Sequence, residues 1–288
     1  MIIGGSKKAV IKNIEKNIRN NELNKKVEVN DPTLTEEELN VALKRFYGIR
    51  KHKIIYFLES RFAYLFVDIL GMRLNHSVEI EGLENLNNIN NGGIVTSNHF
   101  NPLDNMAVRK MIKKRYKKNI YIVSQETNLA MPGFLGYLVN SLNIIPLCKG
   151  PNYIIKTFKP ELKKVLDKNN YVLIYPEEEM WFNYRKPRPC KRGAYQFAAE
   201  MNKPIISCFV EIIDTDKTDN DEFNQVKYVV HVLKPIYPDS SKSPKENSKI
   251  MAEIDYKQKI KAYEKAYNTK LDYNFSLDDI AGLKKKDD

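Results

Sequence analysis

A histidine and an aspartate five positions apart, in the stretch SNHFNPLD, could together act as a base. His99 ends an apolar run, GGIVTSNH, that predicts a buried strand. Asn101-Pro102 is typical of a helix start and would place Asp104 in the first helical turn. The strand-to-helix reversal would fold the carboxylate back onto one ring nitrogen and leave the other free. General-base catalysis by such a ring contributes about 10²–10⁴-fold.

The residues alone leave three interpretations of this pair open: a His–Asp dyad, a metal site, or a helix-capping aspartate beside a satisfied histidine. A metal site would lack ligands, because no other histidine or cysteine is placed nearby. His76 and Glu81 have the same separation, but they lie on a predicted strand. Side chains five apart on a strand point to opposite faces, so we do not expect that pair to meet.

Charge and cysteine content limit the classes of partner and compartment. The 288 residues include 47 basic and 36 acidic ones, a net charge of +11. This balance favours an anionic partner, such as nucleic acid, an anionic membrane surface or a phosphorylated substrate. The alternative is a lysine-rich surface that only contacts solvent. Three scattered cysteines predict neither a disulfide framework nor a CxxC metal site. Because such cysteines suit a reducing compartment, a cytoplasmic location fits best. The first 20 residues contain no apolar segment typical of a signal peptide.

The elements that must position these residues alternate between strands and helices. This alternation predicts an α/β fold with a largely parallel or mixed sheet flanked by helices. We divide the chain into a helical segment (1–74), an α/β core (75–240), and a linker with a charged helix (241–288). Within these, residues 1–30 are expected to be a mobile or loosely helical lead-in. Residues 213–224 are expected to be a polar loop between the last two strands.

One apolar helix near the amino terminus could face either the core or a membrane. Charged residues interrupt the stretch 54–72 too often for a span, which needs about 20 predominantly apolar residues. At helical spacing its apolar side chains share one broad face bordered by basic residues. Such a face suits an interfacial helix or an ordinary core helix, and the segment alone favours the core. The face comprises Ile54, Phe57, Leu58, Phe62, Leu65, Phe66 and Ile69.

Four blocks between residues 78 and 213 resemble the glycerophospholipid acyltransferase family, whose best-known members are the 1-acylglycerol-3-phosphate acyltransferases. EGLENL and IVTSNHFNPLD resemble its lead-in and NHx4D motif, and MPGFLGYLVNSLNIIPLCK resembles its second motif. YPEEEMW stands where the family has FPEGTR, and KRGAYQFAAEMNKPIISCFV resembles the following helix and fourth motif. Each block alone is a weak signal, but four in order at matching spacing are a strong one.

The resemblance implies transfer of an acyl chain from acyl-CoA or acyl carrier protein to a hydroxyl of a lysophospholipid or glycerol-phosphate-like acceptor, without a cofactor or metal. His99 would take the proton of that hydroxyl, and Asp104 would orient the ring and stabilise the imidazolium. Asn98 belongs to the first motif, and Glu177 matches the glutamate of the third. Family members often place an N-terminal helical segment on the bilayer. The resemblance therefore favours a peripheral location on the inner face of the cell membrane, attracted to anionic lipid.

The positions that hold phosphate in the family are altered together. Glu178, Glu179 and Met180 replace the Gly, Thr and Arg of the third motif. Lys149 replaces the arginine of the second motif and offers a point charge instead of a bidentate fork. A basic run that follows either replaces the lost cation or is a solvated loop; alternatively, the acceptor is neither glycerol phosphate nor lysophosphatidate. The substrate-binding candidates are Asn98, Lys149, Glu177, Arg185, Lys186, Arg188 and Arg192.

A function from another class is a basic protein that binds nucleic acid or phosphate without acyltransferase activity. The lysine-rich stretch 111–118, MIKKRYKK, suits that function, but the sequence contains no recognition module. We therefore expect no nucleic-acid partner. Release of thiol from an acyl donor would separate the two functions, as would salt-sensitive binding of RNA or DNA.

Overall fold

The computed structural model describes residues 6–29, 33–74 and 78–284. His76, and with it the question whether it meets Glu81, lies outside these residues. Seven strands of the described part form one sheet with the order β1-β7-β6-β2-β5-β3-β4. The strands are β1 (Glu79–Glu81), β2 (Gly93–Thr96), β3 (Tyr121–Gln125), β4 (Ile144–Leu147), β5 (Tyr171–Ile174), β6 (Ile205–Thr218) and β7 (Asn224–Val232).

Every neighbouring pair of strands is parallel except β6 and β7, which are antiparallel. The predicted α/β fold with a largely parallel or mixed sheet is therefore confirmed. Adjacent residues of β2 face opposite layers: Val95 packs in a cluster with Met111, and Ile94 packs in another with Met251. Both faces of the central strands are covered, which explains their nearly continuous apolar sequences.

The α-helices lie on the two faces and at the edge of this sheet, and their starts follow local capping signals. Thr35 and Glu38 form the predicted capping box. A π-helical turn, Ile154–Phe158, joins two of the helices without a break at Pro160. The helices are α1 (Lys8–Arg19), α2 (Glu36–Lys51), α3 (Lys53–Leu74), α4 (Asn105–Tyr116), α5 (Gly133–Ser141), α6 (Pro151–Tyr153), α7 (Lys159–Leu166), α8 (Gly193–Glu200) and α9 (Pro244–Tyr267).

Two segments that were expected to be irregular belong to regular elements. Strand β6 continues to Thr218, inside the predicted loop 213–224, because the hairpin with β7 keeps its backbone hydrogen bonds where polar side chains meet water. Helix α9 begins inside the expected linker, with Ser243 as N-cap, Pro244 in the first turn and Glu246 completing a capping box. The signal for this start was present in the sequence SPKE.

Part of the expected lead-in, Lys8–Arg19, forms a packed helix. Helix α1 buries one face against the aromatic residues that follow the YPEEE stretch. Ile14 is fully buried, and Trp181, on the opposite side of this contact, is also fully buried. The residues of the amino-terminal segment in this cluster are Val10, Ile11, Ile14, Ile18, Leu23 and Val27. The division of the chain into three segments stays a prediction.

Helix α3 has two faces with different surroundings. Ala63 and Val67 are buried in a small cluster with Met106 at the start of α4. The opposite face is exposed, so the core interpretation of that face is wrong. Within the described ranges, no helix has the length and apolarity needed to cross a membrane. The exposed apolar residues of α3 are Ile54, Ile55, Phe57, Leu58, Phe62, Leu65, Phe66 and Ile69.

Candidate active site

The candidate site lies at the carboxyl edge of the sheet, where β2 and β5 are neighbours. Thr96 at the end of β2 pairs with Ile174 at the end of β5. His99 follows β2 by three residues and Tyr175 follows β5 by one, so the two side chains meet at this edge. Ligand sites in open α/β sheets lie outside the carboxyl ends of strands, so the location agrees with the expected chemistry.

Asp104 contacts His99 as predicted, but by a different local structure. His99 Nδ1 lies 2.8 Å from Asp104 Oδ2, which also accepts from the main-chain N–H of Phe100 (2.9 Å) and Asn101 (3.2 Å). Helix α4 begins only at Asn105, after a turn, and the Asp104 side chain caps no helical N–H. The helix-capping interpretation is therefore wrong, because the carboxylate turns back onto its own loop.

His99 is the accessible member of this pair. Its side chain is 20% exposed, whereas that of Asp104 is 2% exposed. Nε2 makes no hydrogen bond with any of the described residues, so it is the ring nitrogen left to accept a proton. The ring stacks on Tyr175 with centroids 3.9 Å apart, and the Tyr175 hydroxyl donates to Asp104 Oδ1.

Glu177 and Arg188 form a buried ion pair that contacts the main chain of His99. Both side chains are no more than 2% exposed, and Arg188 Nη2 lies 2.8 Å from Glu177 Oε2. Glu177 also accepts from the main-chain N–H of His99 (3.2 Å) and of Arg188 (2.9 Å). Arg188 in turn donates to the main-chain carbonyls of His99 and Glu179 and stacks on Trp181. Burial lowers the Arg188 pKa, and the charge of Glu177 opposes that shift.

The acid that follows Glu177 has an unusual backbone. Glu178 is exposed and has φ +65°, the left-handed region in which glycine carries no steric penalty. This conformation gives a physical reason for the glycine that the resembling family has at this position. A non-glycine residue there costs on the order of 1–2 kcal/mol.

Two of the other predicted cations are also held by carboxylates. Arg185 lies 2.5 Å from Asp214 and donates to the carbonyl of Ile212. Lys186, only 7% exposed, lies 3.0 Å from Asp279. Arg185 also donates to the carbonyl of Asp278 (3.0 Å), so Arg185 and Lys186 tie this loop to the carboxyl-terminal segment.

Lys149 and Arg192 are the exposed members of the predicted set of cations. Lys149 makes no hydrogen bond or ion pair within the described ranges and lies two residues beyond β4 at the same edge of the sheet. Arg192 donates to Ser248 Oγ at 3.1 Å. The Asn98 side chain is turned inward, where it accepts from Val210 N–H (2.8 Å) and donates to the Val210 carbonyl (3.0 Å).

The amino-terminal segment packs against the loop that carries Glu177 and Trp181. The sequence did not predict this contact. The Asn24 side chain donates to the carbonyls of Glu177 (3.2 Å) and Pro189 (2.8 Å). Trp181 Nε1 donates to the carbonyl of Lys25 (2.9 Å). No motif links these positions, since they are more than 150 residues apart in the chain. Across the described ranges, no three His, Cys, Asp or Glu side chains are grouped as a metal site.

The segment that carries this geometry is similar to a known protein family. Residues 77–211 match the family model described as Acyltransferase, which spans all four sequence blocks noted above. Among solved structures, the crystal structure of the 1-acyl-sn-glycerophosphate (LPA) acyltransferase PlsC from Thermotoga maritima is similar. It is 17% identical, with a TM-score of 0.49, over 81% of this chain and 90% of that chain. No curated protein sequence matches this chain.

We expect Glu177→Gln to lower the free energy of unfolding by about 3–5 kcal/mol, because it leaves the buried Arg188 charge uncompensated. Urea denaturation measures this change. The matched control is Glu253→Gln, which removes an exposed 2.6 Å pair with Lys257 and should cost less than about 1 kcal/mol. Equal losses in both variants would contradict the role given to the buried pair.

Proposed function

We propose that this protein, whose residues 77–211 are an acyltransferase domain, is an O-acyltransferase of glycerophospholipid metabolism. It would move a fatty acyl chain from acyl-CoA or acyl carrier protein to a hydroxyl of a lysophospholipid or glycerol-phosphate-like acceptor. The observation that carries the proposal is the His99 ring, which is held at Nδ1 by a buried carboxylate and has no hydrogen-bond partner at Nε2 among the described residues. No cofactor takes part in the proposed reaction.

The proposed reaction is a direct transfer. His99 Nε2 takes the proton as the acceptor oxygen attacks the thioester carbonyl, and Asp104 stabilises the imidazolium. When the tetrahedral intermediate collapses, the carbon–sulfur bond breaks and the imidazolium returns its proton to the leaving thiolate. The cysteines are poor alternative nucleophiles, because burial raises the pKa of Cys148 to about 11 and of Cys190 and Cys208 to about 12.

The exposed cations are the proposed contacts for an acceptor phosphate. Arg185, Lys186 and Arg188 already have carboxylate partners, and Asn98 and Glu177 bond to backbone. A phosphate bound there would have to displace those partners. Lys149 needs no such exchange, and Arg192 would exchange only neutral partners, the Ser248 hydroxyl and the Lys245 carbonyl. We therefore assign the acceptor phosphate to these two and a positioning role to the rest.

A membrane surface is the proposed place of action. The exposed apolar face of α3 continues onto α5, where Phe66 contacts Phe134 with ring centroids 4.7 Å apart. Exposed basic residues, Lys51, Lys53 and Arg61, border it. Apolar surface next to positive charge suits the interface of an anionic leaflet, in which an acceptor lipid would reside. We propose peripheral binding to the inner face of the cell membrane.

Acceptor-dependent release of thiol from acyl-CoA or acyl carrier protein tests the activity. A panel of lysophospholipids and glycerol phosphate serves as acceptors. We expect His99→Ala to lower kcat by about 10²–10⁴-fold, because it removes the base. His231→Ala, which changes a histidine outside the site, is the matched control and should keep its activity. No release with any donor, together with salt-sensitive binding of RNA or DNA, would favour the nucleic-acid alternative.

We expect Lys149→Gln to raise the acceptor KM about tenfold or more, because a hydrogen bond to a charged group contributes roughly 1.5–3 kcal/mol. The control is Lys168→Gln, an exposed lysine three residues before β5 and so at the opposite edge of the sheet. Steady-state kinetics with varied acceptor measure both. An unchanged KM in Lys149→Gln would remove this residue from the acceptor site.

We expect the double variant Leu58→Asp/Leu65→Asp to lower partition into phosphatidylglycerol-containing vesicles at least tenfold. Burial of each leucine side chain contributes roughly 1.5–3 kcal/mol. Co-sedimentation measures the partition, and Ile254→Asp, at an apolar residue of α9 that is 40% exposed, is the control. Unchanged partition in the double variant would exclude α3 as the membrane contact. Point substitutions are preferable to deletion, since α1 and Asn24 support the site.

A further inference from the structure

The tyrosine that opens the YPEEEMW stretch adds a hydroxyl to the candidate site. Tyr175 stands where the resembling family has the phenylalanine of FPEGTR. Its place one residue beyond β5, beside β2, brings its ring under that of His99. A phenylalanine could make the same stacking contact, but it could not donate a hydrogen bond.

Two separate contacts tie Tyr175 to the catalytic pair. The rings of Tyr175 and His99 are stacked and nearly parallel, at an interplanar angle of 13° and a centroid distance of 3.9 Å. The hydroxyl donates to Asp104 Oδ1, the carboxylate oxygen that does not contact His99. Three donors already occupy Oδ2. Tyr175 therefore completes the hydrogen bonding of a carboxylate that is 2% exposed.

The Tyr175 hydroxyl can act towards Asp104 only as a hydrogen-bond donor. Burial and the adjacent charge of Asp104 raise its pKa well above the ordinary value for tyrosine, so it remains protonated. As a permanent donor it withdraws negative charge from the carboxylate. A carboxylate that shares its charge with more donors holds a neighbouring imidazolium less strongly.

The other ionisable groups around His99 do not replace this effect. Glu177 and Arg188 contact its backbone, but they form an ion pair with each other. Tyr228, on β7, is close enough for the charge of Asp104 to raise its pKa, though burial contributes more. Within the described ranges, Tyr175 and Asp104 are thus the ionisable groups whose side chains stack on or hydrogen-bond to the His99 ring.

We propose that Tyr175 is a positioning residue that lowers the proton affinity of His99 through Asp104, while its ring fixes the plane of the imidazole. The base would then stay unprotonated at lower pH than a His–Asp pair without this hydroxyl. The consequence for catalysis rests on the proposed function, whereas the effect on the histidine does not.

Tyr175→Phe tests the hydroxyl alone, because it keeps the stacked ring. We expect the pKa of the His99 imidazole to rise by about 0.5–1 unit, since Asp104 regains charge. NMR titration of the labelled histidines measures it, with the His99 signal assigned by its loss in His99→Gln. The acid limb of kcat/KM against pH should move upward by the same amount. Below that limb, activity should fall about 3–10-fold relative to the unmodified protein.

Tyr171→Phe is the matched control. Tyr171 also stacks on an aromatic ring, Tyr116, at 4.1 Å and donates a buried hydrogen bond, to the carbonyl of Ile89 at 3.1 Å, yet it lies at the start of the same strand. Loss of the Tyr171 hydroxyl should change the free energy of unfolding and leave the titration of His99 unchanged. An unshifted His99 pKa in Tyr175→Phe, or an equal shift in the control, would overturn the proposal. A shift in a protein without any acyl transfer would support the positioning and reject the proposed function.

Discussion

A buried ion pair between Glu177 and Arg188 organises the candidate active site of this protein. Two charges removed from water are stable only when their remaining hydrogen bonds are satisfied. Here the partners are the main-chain N–H and carbonyl of His99, so the position of the candidate base depends on a pair that need not touch substrate. The pair also explains how three acids can follow an apolar strand. Glu177 is buried and paired with Arg188, while Glu178 turns outward through a left-handed backbone.

The His99–Asp104 pair is held from several directions before any substrate binds. The carboxylate of Asp104 accepts from two main-chain N–H groups, a ring nitrogen and a tyrosine hydroxyl. Such groups need no reorganisation when charge develops on the imidazole, which is how preorganised sites lower a barrier. The same turn is supported from outside, because Leu103 and Met106 pack against the inner face of α3. The helix that presents apolar residues outward therefore also supports the loop that carries His99 and Asp104.

The sequence predicted the parts whose signals are local and missed those that depend on contacts across the chain. Periodicity predicted the alternating strands and helices, and the motif residues predicted the meeting of His99 with Asp104. The helix start was predicted three residues too early, because the carboxylate bonds to its own loop rather than to the helix. Arg188 lies in the basic run that was expected to bind acceptor. Its burial depends on Glu177 and Trp181 together with Leu23, whose carbonyl it contacts from a distant segment.

What the sequence by itself determined is the α/β architecture, the meeting of His99 with Asp104 at the carboxyl ends of its strands, and the residue types on which the proposed acyl transfer rests. Local hydrophobic pattern and motif spacing are enough for these. Tertiary structure alone decided which charges remain available. Arg185, Lys186 and Arg188 carry the same charge as Lys149, yet they are paired with carboxylates that the fold brings near them. It also decided that the apolar face of α3 is exposed, because a periodic pattern predicts that a face exists but not what covers it.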